Sequence, residues 1–435
     1  MTAAERAVAL GDPGTFAAWD PIDGGAVILG FALVRGQKAA IIAHDFSVSR
    51  GATSAGDAGR MAELVREATL RGAMVFILAD SEGGRLSEGP ATIGDNAAFL
   101  RALADASGHV PLFAGVFGLA AGAAAYAAAL CDYVLAVAER SFSFLSGPAV
   151  VGKALHEDSS LEQLGGTELH SATTGLYAAL APNDAGLITQ LRALASYFPS
   201  SPAAPPPCAA STPALAATPA LPWSTIGYDA RALVDALVDA DSWVETHARW
   251  GGAILTGPAR LDGRTVMLIA SQPAYRAGAI DCASAQKLAR AVRLATAFGL
   301  PIITLADTPG FMPGQAEEAG RLLTHGARVI SAYAEARAHV PTVAVIIRRA
   351  VGGGVVLAAA AATVLAFEGA EVIQMGDAAR DAVEDSLAGR GGTAGIVHRH
   401  ITPGDLRREV LNALATSRAL SYCPPGGRRV VLLPI

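Results

Sequence analysis

The chain repeats itself, and this limits its possible folds more than any other feature. Ile28-Leu29-Gly30, Gly36 and Ala43 are echoed by Leu255-Thr256-Gly257, Gly263 and Ala270 at one constant spacing. Asp80-Ser81-Glu82-Gly83 aligns with Asp307-Thr308-Pro309-Gly310 at that same spacing. His109-Val110-Pro111 meets His339-Val340-Pro341 three positions later in the register, which sets Gly122-Ala123 opposite Gly352-Gly353. A repeat of this length exceeds any solenoid unit and implies two homologous domains. Between the copies, Pro199, Pro202, Pro205, Pro206, Pro207, Pro213, Pro219 and Pro222 crowd an alanine-rich stretch. Such a stretch reads as an extended linker. The expected organisation is a domain over 1–198, a linker over 199–223 and a second domain over 224–435.

Within each half, short apolar runs alternate with longer helical stretches. Met74–Leu78, Leu112–Phe117, Ile302–Leu305 and Thr342–Ile347 read as buried strands, and 93–106 and 316–338 as helices. This alternation predicts an α/β layer architecture. The uncharged run from Val110 to Cys131 is long enough to span a bilayer. Its opening proline and its Gly/Ala content favour a buried strand, turn and helix instead.

A hydrophobic share of 52% excludes a disordered chain, and a net charge of −6 provides no basic footprint for nucleic acid. Cys131, Cys208, Cys282 and Cys423 stand far apart, which argues against a zinc ribbon or a disulfide framework and fits a reducing cytoplasm. The first twenty residues lack the basic start and apolar core of a signal peptide. A soluble cytoplasmic protein with no membrane partner is expected.

Four turns stand out. Asp80-Ser81-Glu82-Gly83-Gly84-Arg85 and Asp307-Thr308-Pro309-Gly310-Phe311 each follow a strand. Their glycines permit positive φ or the close approach of a ligand, although a tight strand-to-helix turn would use them equally. Gly118-Leu119-Ala120-Ala121-Gly122-Ala123 and Arg349-Ala350-Val351-Gly352-Gly353-Gly354 each lead from a strand into an apolar helix. Small residues there leave N–H groups at a helix N-terminus open to an oxyanion such as a thioester enolate. The alternative is that they merely let helices pack closely. Side chains offer no competing constellation. His398 and His400 are too few for a metal site, Ser146 lacks a nucleophile elbow, and Gly389-Arg390-Gly391-Gly392 is not a phosphate loop. No metal is expected, and catalysis is expected from main-chain dipoles.

Together these residues resemble the carboxyltransferase (β) subunits of biotin-dependent acyl-CoA carboxylases of the propionyl-CoA and acetyl-CoA type, members of the crotonase-like superfamily. The resemblance is carried by Asp80-Ser81 with Gly83 and Arg85, Glu88-Gly89, and Gly118 with Ala121-Gly122 and Tyr126. Gly147-Pro148, Glu157-Asp158, Leu164-Gly165-Gly166 and His170 continue it through the first half. In the second half it runs through Ser271-Gln272-Pro273, Gly278, Ile280-Asp281, Lys287, Asp307 to Gly314, Glu318, Gly320, His325-Gly326-Ala327, Arg348-Arg349-Ala350 and Gly352-Gly353.

The resemblance implies two crotonase-like (ββα-superhelix) domains in tandem and transfer of a carboxyl group from carboxybiotin to the α-carbon of a short acyl-CoA. Biotin would arrive on a separate carrier protein, with a biotin carboxylase as further partner, and the chain would assemble as a homo-hexamer or with a homologue. Gly122 and Ala123 would hold the thioester oxygen, and Gly352, Gly353 and Gly354 the biotin oxygen. Gly83, Gly84, Arg85 and Tyr126 would line the CoA side, Phe311 and Gly314 the second site, and Val356 falls at the family's acyl-selectivity position. Four departures accompany the match: Glu82 and Arg50 stand where glycines are usual, Ala123 replaces a glycine, and Met375-Gly376-Asp377-Ala378-Ala379-Arg380 differs from the family's Met-Gly-Ala-Glu-Gly-Ala. They leave open a malonyl- or methylmalonyl-thioester decarboxylase, an acyl-transfer enzyme acting on CoA or carrier-protein thioesters, or a catalytically silent partner subunit.

Overall fold

The computed structural model describes residues 1–19, 24–215, 217, 227–374 and 395–420. The segment 375–380, the 389–392 loop, Cys423 and the end of the expected linker lie outside these residues. The chain divides into two compact units, Met1–Pro205 and Pro206–Val430.

The first unit contains α1 (Ala3–Leu10), β1 (Ala17–Ala18), β2 (Val27–Val34), β3 (Gln37–His44), α2 (Ala55–Arg71), β4 (Met74–Ser81) and α3 (Pro90–Ala106). These lead to β5 (Leu112–Ala121), α4 (Ala123–Ala129), β6 (Tyr133–Val137), β7 (Phe142–Phe144), α5 (Pro148–Leu155), α6 (Leu161–Gly165), β8 (Ala179–Ala181) and α7 (Asp184–Ala195). The second unit begins with α8 (Arg231–Leu237), β9 (Ile254–Leu261), β10 (Arg264–Ser271), α9 (Cys282–Ala297), β11 (Ile302–Thr308), α10 (Gln315–Ala319) and α11 (Leu322–His339). It continues through β12 (Thr342–Val351), α12 (Val355–Ala359), β13 (Thr363–Phe367), β14 (Glu371–Ile373), β15 (Arg399–Ile401) and α13 (Leu406–Leu420).

Each unit opens its sheet with an antiparallel hairpin, β2–β3 or β9–β10. The turn residues explain why. Arg35-Gly36 and Asp262-Gly263 all have positive φ, the geometry of the tight turn whose twist matches paired strands. The carboxylate of Asp12 accepts from the N–H groups of Arg35 and Gly36 at 3.1 and 2.8 Å. Asp239 does the same for Asp262 and Gly263 at 2.9 and 2.7 Å.

From the hairpin the sheets continue in parallel, β3-β4-β5-β6-β8 and β10-β11-β12-β13-β15, with a short strand added at the end of β5 (β7) and of β12 (β14). The central strands are almost wholly buried, as parallel strands covered by helices must be. In the first unit Phe76, Phe113 and Tyr133 occupy paired registers on neighbouring strands, and their rings stack at 5.1 and 6.4 Å. The run from Val110 to Cys131 is β5 followed by α4, and no helix among the described residues is long and apolar enough to cross a membrane.

Two sequence expectations meet a more detailed chain. The helix expected over 316–338 is broken into α10 and α11, because Arg321 adopts a left-handed φ of 70°. Residues 207–209, read as linker, run along the β9–β10 hairpin. Ala209 N–H donates to Gly263 O at 2.7 Å, and Pro207 O accepts from Arg260 and Thr265.

Lys287, on α9, is buried, and its ammonium donates to the carbonyls of His247 and Trp250 at 2.9 and 3.0 Å. Burial pushes its pKa down from 10.5 to about 7. The unfolded chain therefore binds one more proton than the fold between about pH 7 and 10.5, so stability rises with pH through that window. Thermal melting of the wild type should gain on that of Lys287→Met between about pH 7 and pH 9; parallel pH profiles would contradict this.

Candidate functional site

The matched turns meet at the carboxyl ends of the central strands in each unit. In the first, Ser81 closes β4, and its hydroxyl donates to Gly51 O at 2.6 Å while accepting from Gly83 N–H at 3.0 Å. In the second, Thr308 donates to Gly278 O at 2.7 Å and accepts from Gly310 N–H at 3.0 Å. These hydroxyls hold each glycine turn in place. The matched Ser/Thr positions in the repeat were the signal for them.

The glycines are required. Gly83 (φ 100°) stands so close to the β5–α4 turn that a Cβ would fall 2.8 Å from Ala121 O and 3.7 Å from Ala123 N. Gly310 (φ 105°) repeats this against Val351 O and Gly354 N at the same two distances. Both expected pairs of turns are thus brought into contact, one pair in each unit.

The N–H groups differ from expectation in one respect. Gly122 donates its N–H to Phe144 O at 3.1 Å, so its amide is already engaged and its φ of 54° serves instead to turn the chain. The first helical bond of α4 comes from Tyr126 N–H to Gly122 O at 3.2 Å, and Ala123 lies ahead of it. In the second unit the chain turns through a single 3-10 turn over Gly352–Gly354, and Val355 N–H donates to Gly352 O and Gly353 O, so Gly353 lies ahead of the helix as Ala123 does. With seven residues in α4 and five in α12, the donors themselves matter more than any helix dipole.

Gly84, Arg85, Gly122, Ala123 and Tyr126 line a single cavity of about 640 Å³. Phe311 packs on Gly353, where a Cβ would fall 2.7 Å from its ring. Val356 is half-buried on α12. Gly314 stands apart from these contacts at the exposed start of α10.

The departures at Glu82 and Arg50 prove to be one feature. Arg50 Nε donates to Glu82 Oε1 at 2.5 Å, and both line a cavity of about 710 Å³. The acidic side chain is therefore met by a cation that the sequence alone did not pair with it. Both residues are exposed, so the pair contributes at most about 1 kcal/mol.

Behind each turn lies a buried charge network. Arg6 bridges Asp80 at 2.9 Å and Asp184 at 3.0 Å, and Arg140 also pairs with Asp184. Asp307 Oδ2 accepts from Arg348 Nε at 2.6 Å and Tyr228 Oη at 2.8 Å. Burial pushes the Asp307 carboxyl up against the opposing pull of Arg348, and its Oδ1 finds no hydrogen-bond partner among the described residues. His170 is a structural clamp, its ring nitrogens bonded to Ser143 O at 2.7 Å and Thr174 Oγ1 at 2.9 Å. Among the described residues no group of three His, Cys, Asp or Glu is placed to hold a metal ion.

Glycine turns set against main-chain donors, twice over in one chain, define a crotonase-like double domain. The carboxyl transferase domain family matches residues 14–382, and the chain belongs to that family. It is 33% identical over 373 residues to the mitochondrial propionyl-CoA carboxylase beta chain of Sus scrofa, covering 80% of this chain and 69% of that one. It is 31% identical over 371 residues to the methylmalonyl-CoA decarboxylase subunit alpha of Veillonella parvula, covering 80% and 72%. Among solved structures it superposes with a TM-score of 0.90 and 26% identity on the transcarboxylase 12S hexamer with methylmalonyl-coenzyme A and methylmalonic acid bound, covering 99% of this chain and 92% of that one. The chain is an enzyme of the biotin-dependent acyl-CoA carboxyltransferase type.

Proposed function

We propose that the chain moves a carboxyl group from carboxybiotin to the α-carbon of a short acyl-CoA, acetyl or propionyl, through an enolate held by main-chain amides. The observation carrying this reading is the contact between matched turns, which sets Gly83 against Ala123 and Gly310 against Gly354. Ala123 N–H would face the thioester oxygen, with Gly122 turning the chain and Gly83, Gly84 and Arg85 lining the CoA side. A donor placed where negative charge develops lowers the barrier by about 3 kcal/mol.

The second unit suits biotin chemically. The ureido carbonyl is an acceptor, Gly352, Gly353 and Gly354 are donors without side chains, and Gly353 is exposed. When bound, carboxybiotin supplies CO2 and, after its release, a basic ureido group. Gly352 to Gly354 would hold its oxygen, with Phe311 beside Gly353 shaping one wall. We further propose a hexamer, as in the transcarboxylase 12S structure, working with a biotin carboxylase and carrier partner.

The test incubates the full chain with a biotinylated carrier, carboxylated beforehand, and acetyl- or propionyl-CoA, followed by mass spectrometry. Carboxylated product that avidin abolishes is expected; no product would overturn the reading. The decarboxylase relative favours a second reading, which predicts CO2 release from a malonyl or methylmalonyl thioester with no carrier present.

A further inference from the structure

β5 is not a regular strand where it passes the end of β4. Ala79 pairs with Val116 and Ser81 with Ala120, so Asp80 alone stands opposite Phe117, Gly118 and Leu119. Such a bulge interrupts the ladder and re-aims the strand beyond it. Here the strand beyond it leads into Gly122 and Ala123, so the bulge sets the direction of the donor turn.

Side chains hold this bulge. Asp80 Oδ1 accepts from Leu119 N–H at 3.2 Å, and Arg140 Nε donates to Phe117 O at 2.9 Å. The carboxylate lies so close to the strand that a Cβ on Gly118 would fall 2.4 Å from Oδ1. The two clamps are joined through Arg6 and Asp184. Arg6 Nη1 donates to Asp80 Oδ2 at 2.9 Å and its Nε to Asp184 Oδ2 at 3.0 Å, while Arg140 pairs with Asp184 Oδ1. The Arg6 guanidinium also lies 4.4 Å from the centre of the Phe117 ring. Charged side chains from α1, the end of β4, the turn after β6 and the start of α7 thus close a ring around the bulge. Arg6 and Asp184 are buried. Desolvation offsets most of the attraction in such a pair, so net stability does not account for it. The second unit has the same bulge, between the pairs Ala306–Ile346 and Thr308–Ala350, and holds it differently: Arg348 stands on the bulge itself and donates to Asp307.

Resting on the reading of Ala123 as the thioester donor, we propose that Arg6 is a positioning residue for carboxyl transfer. It holds Asp80 and, through Asp184, Arg140 against the β5 bulge. The clamped bulge aims the Ala123 N–H, four residues beyond Leu119, at the thioester oxygen. Arg6 borders the cavity of about 710 Å³, but its Nε and Nη1 are engaged by the two carboxylates, and its part is to set geometry.

The test is steady-state carboxyl transfer from the carboxylated carrier to propionyl-CoA, with Arg6→Met and Arg140→Met each made in the wild type and in Ala123→Pro. In the wild-type background each should lower kcat by about 10- to 10²-fold, the effect of misplacing a catalytic group by about 1 Å, with the KM for propionyl-CoA unchanged. In the Ala123→Pro background, where the donor is already missing, each should change kcat by less than about twofold. Equal losses in both backgrounds would make the ring merely structural and overturn the proposal. A raised KM with unchanged kcat would overturn it too, by making the arginine a substrate contact. Arg140 is half exposed, so Arg140→Met decides the matter if Arg6→Met fails to fold. Wild-type turnover by Ala123→Pro alone would instead count against the donor reading itself.

Discussion

Ala123→Pro should lower carboxyl transfer by about 10²- to 10³-fold while leaving the fold intact. Proline removes one N–H and little else here. Ala123 is the first residue of α4, a position where proline is well tolerated because no helical bond is lost there. The preceding Gly122, at φ 54° and ψ −117°, has no side chain to clash with the proline ring. The loss should fall mainly on kcat, since the missing donor matters most when charge reaches the thioester oxygen. Ala123→Gly, which keeps the N–H, should retain near-wild-type turnover. Steady-state kinetics with circular dichroism as the folding control separates the two outcomes.

The second large effect concerns stability. Asp307→Ala should destabilise the second unit by about 3–5 kcal/mol, the range for breaking one side of a buried ion pair. Its side chain is only 2% exposed, and its Oδ2 is shared by Arg348 Nε and Tyr228 Oη. The guanidinium of Arg348 also lies over the Tyr228 ring, 4.7 Å from its centroid, so all three groups form one packed unit. Asp307 opens the turn that carries Thr308 and Gly310, and loosening it should reduce activity too. Denaturant unfolding should show an early transition for Asp307→Ala. Asp307→Asn, which retains the shape, should fall between it and the wild type.

Much of the architecture was legible because the repeat marks it. Glycines at 36 and 263 announce two hairpins of one kind, and Asp80-Ser81 and Asp307-Thr308 announce two turns of one kind. The strands read from apolar runs are present and longer, β5 running to Ala121 and β12 to Val351. What stayed hidden depends on tertiary register. That Gly122 N–H is engaged follows from β7 pairing with the end of β5, which no local pattern reveals. The pairing of Arg50 with Glu82 joins residues on two separate turns, so each looked like an isolated departure.

Ala123 is explained in the same way. Where Phe311 covers Gly353, a Cβ would strike the ring, so glycine is needed. In the first unit the residue matching Phe311 is Gly84, which carries no ring to strike a Cβ at 123, so alanine fits without losing its N–H. The helical break had one local signal, Gly320, which caps α10 just ahead of the left-handed Arg321, but the good helix formers on either side masked it.

The most direct measurement is the affinity of a CoA thioether bearing a nitronate, which mimics the thioester enolate in charge and shape. Main-chain stabilisation of the enolate predicts that the wild type binds it at least about 10²-fold more tightly than propionyl-CoA, and that Ala123→Pro loses most of that preference while still binding propionyl-CoA. Equal preference in the wild type and Ala123→Pro would show that the amide at Ala123 does not hold the negative oxygen.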